Sequence, residues 1–257
     1  MFRNVRLSLS ITALCLLAPL TSGAAAEIKV LDANALTIAM KELAAEFTKE
    51  TGNEVTFVGV TPGQVEQRVK AGEVYDLVIT ATESSAAFER DGRWIAGSRH
   101  PLARVGIGVA VRDGVKLDLA TVESTRKALL DAKSITYSDL GGGGLSGINA
   151  RKVVANLGLT EAIKDKIQLA KDLAGGQALI AKGDIDIGLF NLSEIPRAPG
   201  VVRAGPVPAA VEVYINYDAA VPVTNKAPEA ALALLKYFHR AASRPVWDKA
   251  GLEVVGE

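Results

Sequence analysis

Residues 26 to 81 read AEIKVLDANALTIAMKELAAEFTKETGNEVTFVGVTPGQVEQRVKAGEVYDLVITA, and this stretch decides the fold. Three β-like runs, AEIKVLDA, EVTFVGV and YDLVITA, alternate with two segments whose apolar residues recur at helical spacing. In the first of these segments Leu36, Met40 and Leu43 share one face, and Gly52 follows as a stop signal. Three strands joined by two helices in so short a stretch predict a right-handed parallel βαβαβ unit.

The second helical segment carries a clear start signal. Thr61 is a good N-cap, Pro62 suits the first helical position, and Gln64 has the spacing of a capping-box partner. The strand after it, YDLVITA, is nearly all apolar, as expected for a parallel strand buried on both faces. The sequence therefore predicts strands that end close together, with polar loops between them.

A second α/β unit follows. VGIGVAVRDG, SITYSD and DIDIGLF are typical of strands, and the segments between them include the helical patterns STRKALLDAK and INARKVVANLGL. The chain ends in two amphipathic helices, for which we expect packing on the first unit. The predicted fold class is α/β with two lobes, each a mainly parallel sheet flanked by helices. The predicted lobes are residues 27–103 with 212–257, and residues 104–211.

The first 26 residues resemble a secretory signal peptide. Arg3 and Arg6 precede an apolar run of about ten residues, too short for the roughly 20 that a membrane span needs. We expect cleavage after Ala26, which leaves 27 basic and 29 acidic residues of the original 29 and 29, a net charge of about −2. Cys15, the only cysteine, lies in this run. The sequence thus predicts a periplasmic protein without a disulfide or lipid anchor, and no nucleic-acid partner.

Taken in order, five segments resemble the type II periplasmic solute-binding proteins of ABC importers, and within them the molybdate-binding-like group. They are NALTIAMKELAAEFTKETG, QRVKAGEVYDLVITA, HPLARVGIGVAV, the segment from 141 to 166, and LIAKGDIDIGLFNLSEI. The resemblance covers essentially the whole chain after the leader. It implies two lobes that close on a ligand in the cleft between them, with hinge strands near 104–111 and 211–217. It also implies a monomer that delivers a small anion to a membrane permease.

The sequence departs from the molybdate-binding pattern at three places. Ala35 stands where those proteins usually have a serine, Thr61 to Gly63 replaces a serine-rich loop, and no tyrosine lies near Asn191. Each missing hydroxyl removes a donor for a tetrahedral oxyanion, and a buried oxygen left unpaired costs about 1 to 3 kcal/mol. A small organic carboxylate or another polar metabolite therefore remains an alternative to a molybdate-like oxyanion.

Candidate ligand residues follow the strands of the first lobe. Ligands in parallel α/β sheets bind beyond the carboxyl ends of strands, where helix N-termini offer free N–H groups and favour anions. Asn34 and Thr61 could each cap a helix instead of binding a ligand. The candidates from this lobe are Asn34, Ala35, Thr61, Pro62, Gly63 and Thr80.

Candidates from the second lobe centre on SDLGGGGLSGINARKVV, residues 138–154. A run of glycines before a helix suits close approach of the backbone to a ligand. Its G-x-G-x-x-G spacing also fits a dinucleotide loop, but Ile148 stands where a Walker A motif has lysine. Arg104 could contact a carboxylate ligand or pair with an acidic side chain. The candidates are Gly143, Gly144, Ser146, Gly147, Asn191 and Arg104.

Enzyme chemistry finds little support in the sequence. His100 and His239 are the only histidines, no cysteine remains after the leader, and no G-x-S-x-G motif occurs. A hydrolase or metalloenzyme needs a base or ligand cluster that these residues do not form. We therefore expect no catalytic residue, no metal and no cofactor, with an exported hydrolase as the alternative from another functional class.

Overall fold

The computed structural model describes residues 25–138, 145–225 and 228–256, apart from the side chains of residues 196 and 197. The predicted signal peptide therefore lies almost wholly outside the described residues. No helix in the described ranges is both long and apolar enough to cross a membrane. The strands and helices are β1 (Glu27–Ala33), α1 (Thr37–Thr51), β2 (Glu54–Val60), α2 (Pro62–Lys70), β3 (Leu77–Ala81), α3 (Thr82–Arg90), β4 (His100–Val105), β5 (Ile107–Arg112), α4 (Val122–Asp131), β6 (Ile135–Thr136), α5 (Leu145–Asn156), α6 (Leu173–Lys182), β7 (Ile187–Asn191), β8 (Val201–Pro206), β9 (Ile215–Ala220), α7 (Pro228–Phe238), α8 (Arg244–Ala250) and β10 (Glu253–Val254).

The first sheet contains the predicted βαβαβ unit. Its strand order is β10-β4-β9-β3-β1-β2, and β1 runs parallel to both β2 and β3. Helix α1 packs Met40, Leu43 and Phe47 onto one face, together with the C-terminal helices. Helices α2 and α3 cover the other face with a separate apolar cluster. The return of the C-terminal helices to this sheet is confirmed.

The second sheet has the order β6-β7-β5-β8. Only β6 and β7 pair in parallel, whereas β5 is antiparallel to both β7 and β8. In the first sheet β9 is likewise antiparallel to β3 and β4, and β10 is antiparallel to β4. The α/β fold is confirmed, but the prediction of mainly parallel sheets is wrong, because both sheets are mixed.

The two crossings between the sheets explain the antiparallel pairs. Strands β5 and β9 each enter their sheet from a crossing, so they run away from the other sheet, while their neighbours run towards it. The first crossing is a single residue, Gly106, between β4 and β5. The second is the segment 207–214 between β8 and β9. The crossings lie side by side, since Val105 pairs with Ile215 at the end of the β4 and β9 ladder.

Candidate functional site

The loop after β1 brings Asn34 to the edge of the first sheet. Its backbone N–H donates to the carbonyl of Val60 at 2.9 Å, which ties the loop to the end of β2. Helix α1 has Leu36 as its N-cap, without a side-chain cap. Asn34 is therefore not the N-cap of α1. Ala35 is buried in the core below the loop, so its side chain serves packing.

A polar cluster lies directly beneath Asn34. The Thr37 hydroxyl donates to a carboxylate oxygen of the fully buried Asp32 at 2.5 Å. On the neighbouring strand Gly59 faces this cluster, and a Cβ there would lie 2.8 Å from Thr37 Oγ1 and 2.9 Å from Asn34 Oδ1. Only glycine leaves room for these polar atoms, because real Cβ contacts are almost never so short. The absence of a side chain at Gly59 thus leaves the space that the Asn34 amide and the Thr37 hydroxyl occupy.

Thr61 forms the predicted capping box at the start of α2. Its hydroxyl accepts from the Gln64 backbone N–H at 3.3 Å, and Gln64 Oε1 accepts from the Thr61 backbone N–H at 3.1 Å. The Thr61 hydroxyl also lies 3.2 Å from Gln64 Oε1 as a donor. Both roles of this hydroxyl are therefore already used within the helix terminus.

Thr80 is buried on β3 with 1% of its surface exposed, and its hydroxyl has no hydrogen-bond partner among the described residues. Its neighbour Thr82 instead donates to Asp218 at 2.7 Å, and Arg99 binds the other oxygen of that carboxylate at 2.7 Å. This network ties the first residue of α3, strand β9 and the segment before β4 together. It is a structural feature of the first sheet next to the candidate site.

The wall from the second sheet is built around Ser146. Its hydroxyl oxygen accepts from the Asn191 backbone N–H at 3.1 Å, which joins the first turn of α5 to the end of β7. Gly147 is buried in the same helical turn. The side-chain Oδ1 of Asn191 and the hydroxyl of Ser193 are buried without hydrogen-bond partners among the described residues. Hydrogen-bonding capacity is thus concentrated where the two sheets face each other.

Two of the candidates, Gly143 and Gly144, lie outside the described residues. Ser193 follows the strand DIDIGLF in the same loop as Asn191, which the sequence indicates as a second ligand loop of this lobe, and its side chain is buried.

Asn34, Thr61 and Ser146 line one cavity of about 730 Å³ between the sheets. Most of the other lining residues come from α6 and the two residues before it, and they include Lys171 and Lys182, which the sequence pattern did not indicate because this segment was interpreted only as a helix. Pro62 and Gly63 line a second cavity of about 440 Å³ on the opposite side of the α2 and α5 starts. The predicted ligand loops of the two lobes therefore lie next to each other, but they line two separate cavities and not one.

Arg104 has other partners in the structure. Its guanidinium contacts the Glu253 carboxylate, with Nε at 2.8 Å, and stacks over the Tyr214 ring with 4.1 Å to the centroid. This arrangement matches the alternative of pairing with an acidic side chain. Contact between Arg104 and a ligand remains a prediction that requires this pair to open.

Both histidines lie at a separate place, beside α7. The ring nitrogens of His239 lie 3.0 Å from the Leu235 carbonyl and 2.9 Å from the Pro101 carbonyl. His100 lines the same small cavity at the edge of the first sheet, away from Asn34 and Ser146. Within the described ranges there is also no group of three metal-binding side chains.

Known proteins resemble the chain along nearly all of its length. The family model described as bacterial extracellular solute-binding protein matches residues 28–253. Aconitate isomerase of Pseudomonas sp is 26% identical over 235 residues, 89% of this chain and 88% of that protein. The molybdate-binding protein of Azotobacter vinelandii is 30% identical over 225 residues, 83% of this chain and 84% of that protein.

A solved structure extends the similarity to the fold. The Azotobacter vinelandii periplasmic molybdate-binding protein superposes with a TM-score of 0.69 at 20% identity, over 90% of this chain and 99% of that chain. Together with the family match, this confirms the resemblance to molybdate-binding-like type II solute-binding proteins that the sequence segments indicated.

Proposed function

The chain belongs to the bacterial extracellular solute-binding proteins, and we propose that it is the periplasmic component of an ABC importer that captures a small anion, with a molybdate-like oxyanion as the first candidate. The observation that carries this proposal is the cavity between the sheets that Asn34, Thr61 and Ser146 line together. The molybdate-binding relative, 30% identical over most of the chain, supports the choice of ligand class.

Helix termini give the cavity its preference for negative charge. Helices α1, α2 and α5 all begin at the edge where the sheets face each other, and the first N–H groups of a helix carry partial positive charge. Ser146 can donate its hydroxyl hydrogen to a ligand, because its oxygen is the acceptor for the Asn191 N–H. These donors suit the oxygens of an oxyanion or a carboxylate.

We further propose that residues 27–103 with 212–257 and residues 104–211 act as two lobes that close around this anion. The two adjacent crossings, at Gly106 and at 207–214, support this division, because they are the connections between the sheets. Hinges of this kind are a few residues that absorb a change in backbone angles. The strands near 104–111 and 211–217 are the proposed hinge.

A thermal-shift panel tests the proposal. Molybdate, tungstate, sulfate, phosphate and small di- and tricarboxylates are added to the purified protein. A ligand at about 100 times its Kd stabilises the folded state by about 2.7 kcal/mol, which raises Tm by about 5 to 10 °C for a chain of this size. Asn34→Ala should lose most of this shift, whereas Asn53→Ala, at the opposite end of the β1 and β2 pair, serves as the matched control. A flat response to every anion would overturn the proposal.

A small polycarboxylate is the second candidate ligand, and the shape of the cavity favours it. Lys171 lies two residues before α6 and Lys182 is its last residue, so the ten-residue helix, about 15 Å long at 1.5 Å per residue, separates them along the cavity. A tetrahedral oxyanion is much shorter than this groove, while a di- or tricarboxylate could reach from Ser146 towards a lysine. The 26% identical aconitate isomerase supports the same class of ligand.

Lysine variants distinguish the two ligands. Lys171→Ala and Lys182→Ala should weaken a tricarboxylate and leave molybdate unchanged, if the longer ligand is the true one. Lys116→Ala, exposed elsewhere on the second unit, is the control for a general loss of positive charge. If all three variants bind every carboxylate with equal affinity, a polycarboxylate that contacts these lysines is not the ligand.

We propose binding without turnover. The described cavity contains no histidine, and the histidines line a different cavity. Incubation with cis-aconitate, followed by chromatography for the trans isomer, tests the alternative that the aconitate isomerase relative raises. Ester and phosphoester substrates test for hydrolysis in the same samples. Product that forms with the wild type and disappears with Asn34→Ala or Ser146→Ala would make the protein an enzyme.

Export through a cleaved leader is part of the proposal. The charged and apolar pattern of residues 1–26 supports cleavage after Ala26. Sequencing the N-terminus of protein recovered from a periplasmic extract should give Glu-Ile-Lys, residues 27 to 29. Recovery of the uncleaved chain in the cytoplasm alone would contradict it. A single monomer mass in light scattering is the expected state.

A further inference from the structure

We propose that Glu212 is the positioning residue of the hinge: its carboxylate joins the two crossings and sets how the two sheets stand before ligand binds. This inference rests on the proposed closure of the lobes and assigns a residue that contacts no ligand. Glu212 Oε1 accepts from the Ile107 backbone N–H at 2.8 Å and from the Val213 backbone N–H at 2.8 Å. One oxygen thus binds both crossings at once.

The backbone leaves a gap that this side chain fills. Val105 pairs with Ile215 on one side of the crossings, and the Val207 N–H donates to the Ile107 carbonyl at 3.2 Å on the other. Between these two contacts the backbone of the second crossing diverges from the backbone at Gly106. The Ile107 N–H therefore has no backbone acceptor there. The Glu212 carboxylate replaces the missing backbone acceptor.

Gly106 is shaped to this carboxylate. A Cβ on Gly106 would lie 2.4 Å from Glu212 Oε2 and 2.6 Å from its Cδ. The backbone of Gly106 does not require positive φ, so its lack of a side chain is explained by the space that Glu212 occupies. The one residue that separates β4 from β5 is therefore matched to a side chain of the other crossing.

The segment around Glu212 is anchored to both units. Asn149 Nδ2 donates to the Val213 carbonyl at 3.2 Å, which ties the segment to α5, the helix that carries Ser146. On the other side the Tyr214 ring stacks under Arg104, which pairs with Glu253 on β10. Glu212 thus lies between a contact with α5, on the ligand side, and a contact with the first sheet. A movement at one of these contacts can be transmitted to the other through this segment.

An ionisable side chain is buried at this position, where a charge is costly. Burial raises the pKa of Glu212, the two backbone N–H groups oppose that rise, and the nearby Glu253 adds to it. The other groups that face this place are Arg104 and Tyr214. A buried acid that only filled space could be replaced by a neutral side chain at a gain, so its hydrogen bonds give the reason for its presence.

Distances between spin labels on the two units, measured without ligand, test the role of Glu212. The labels go on Lys49→Cys in α1 and Lys127→Cys in α4, both exposed. Glu212→Ala should broaden the distance distribution relative to the wild type. Glu212→Gln keeps an oxygen for both N–H groups and should remain narrow. Glu161→Ala, an exposed acid beside Lys164, is the matched control. A distribution for Glu212→Ala that coincides with the wild type would overturn the proposal.

Gly106→Ala keeps the test decisive if Glu212→Ala folds poorly, and a double-mutant cycle adds to it where both single variants fold. Gly106→Ala alone should displace the carboxylate and broaden the distribution. In the double variant Gly106→Ala/Glu212→Ala the methyl group occupies the vacated space, so the two effects should be clearly non-additive. A narrow distance distribution for Gly106→Ala would contradict the role of Glu212. So would a broadening in the double variant that equals the sum of the two single-variant effects. Because no ligand is present, failure of anion binding leaves these results unaffected, and the two hypotheses fail independently.

Discussion

The two walls of the cavity differ in how far their polar groups are already used. On the wall from the first sheet, the Thr61 hydroxyl is engaged in its capping box, and the Asn34 loop is bound to Val60. Behind the wall from the second sheet, Asn191 Oδ1 and the Ser193 hydroxyl are buried without partners among the described residues, and in the first sheet the same holds for the Thr80 hydroxyl. Buried polar groups normally have partners, so these atoms have hydrogen-bonding capacity left for a ligand.

The comparison assigns different tasks to the two walls. The first wall supplies a fixed shape, which its internal hydrogen bonds hold before any ligand arrives. In the proposed site, the second wall supplies hydrogen-bonding groups to the ligand. Substitutions on the first wall should therefore act through shape and stability, and those on the second through lost ligand contacts.

Gly59→Ala should have the largest effect. The added Cβ would come within 2.9 Å of both Thr37 Oγ1 and Asn34 Oδ1, so the Asn34 side chain must move. We expect a loss of affinity of at least about tenfold, equal to about 1.4 kcal/mol, and destabilisation of about 1 to 3 kcal/mol. Titration calorimetry and urea unfolding measure the two effects.

Gly205→Ala is the matched control for this prediction. Its Cβ would meet only the flexible Leu119 side chain at 3.5 Å, an ordinary contact. If Gly59→Ala binds as tightly as Gly205→Ala does, the fixed shape of the first wall is not needed for binding.

Ser146→Ala should come next. It removes the acceptor of the Asn191 N–H and leaves that buried donor unpaired, which costs about 1 to 3 kcal/mol of folding free energy. Affinity should fall about tenfold as the hydroxyl donor is lost as well. Ser193→Ala, whose hydroxyl has no partner in the described part of the chain, should leave the stability of the free protein unchanged. A ligand affinity of Ser146→Ala equal to that of the wild type would contradict the role of the second wall.

Thr61→Ala should act on stability and leave affinity nearly unchanged. Loss of an N-cap costs about 1 kcal/mol, or about 2 to 4 °C in Tm for a protein of this size. Because the hydroxyl is used within the capping box, the Kd should change by less than about threefold. A Kd that rises tenfold with an unchanged Tm would show that Thr61 binds the ligand directly.

The smallest effect concerns pH and Glu212. Its pKa is raised in the folded chain by burial, so the folded state holds this proton more tightly than the unfolded state does. The resulting stability is fully present below the ordinary Glu pKa of about 4.3 and is lost as pH rises through the raised pKa. Urea midpoints from pH 5 to 8 should therefore favour the wild type over Glu212→Gln most strongly at pH 5. If the stability difference between the wild type and Glu212→Gln grows towards pH 8, the predicted direction of the pH dependence is wrong.

Local patterns predicted the first sheet and its cap well. The capping box at Thr61 and the helical face of α1 depend on residues three or four apart, and the structure contains both. The mixed direction of the sheets was not predictable from such patterns. It depends on where the chain crosses between sheets, and Gly106 looks in the sequence like any glycine within one long strand.

Long-range contacts explain what the sequence missed in the site. Gly59 is selected by Thr37 on a neighbouring helix, and Lys171 reaches the cavity only because α6 lies beside it. Glu212 lies in the run VEVYINYDAAV, whose composition is typical of one long strand, yet β9 begins only at Ile215. The strand starts late because residues 211 to 214 form the crossing, which no spacing within the run reveals.

The antiparallel edge strand β10 leads the end of the chain along β4, away from the first crossing. The Val255 N–H donates to the Leu102 carbonyl at 3.0 Å, and a Cβ on Gly256 would lie 3.0 Å from the Pro101 carbonyl. An affinity tag or fluorescent reporter fused close after Gly256 would thus crowd the start of β4 at Pro101. Handles for purification or immobilisation belong instead on an exposed turn such as Asp113–Gly114, and a long spacer is needed wherever the C-terminus must be used.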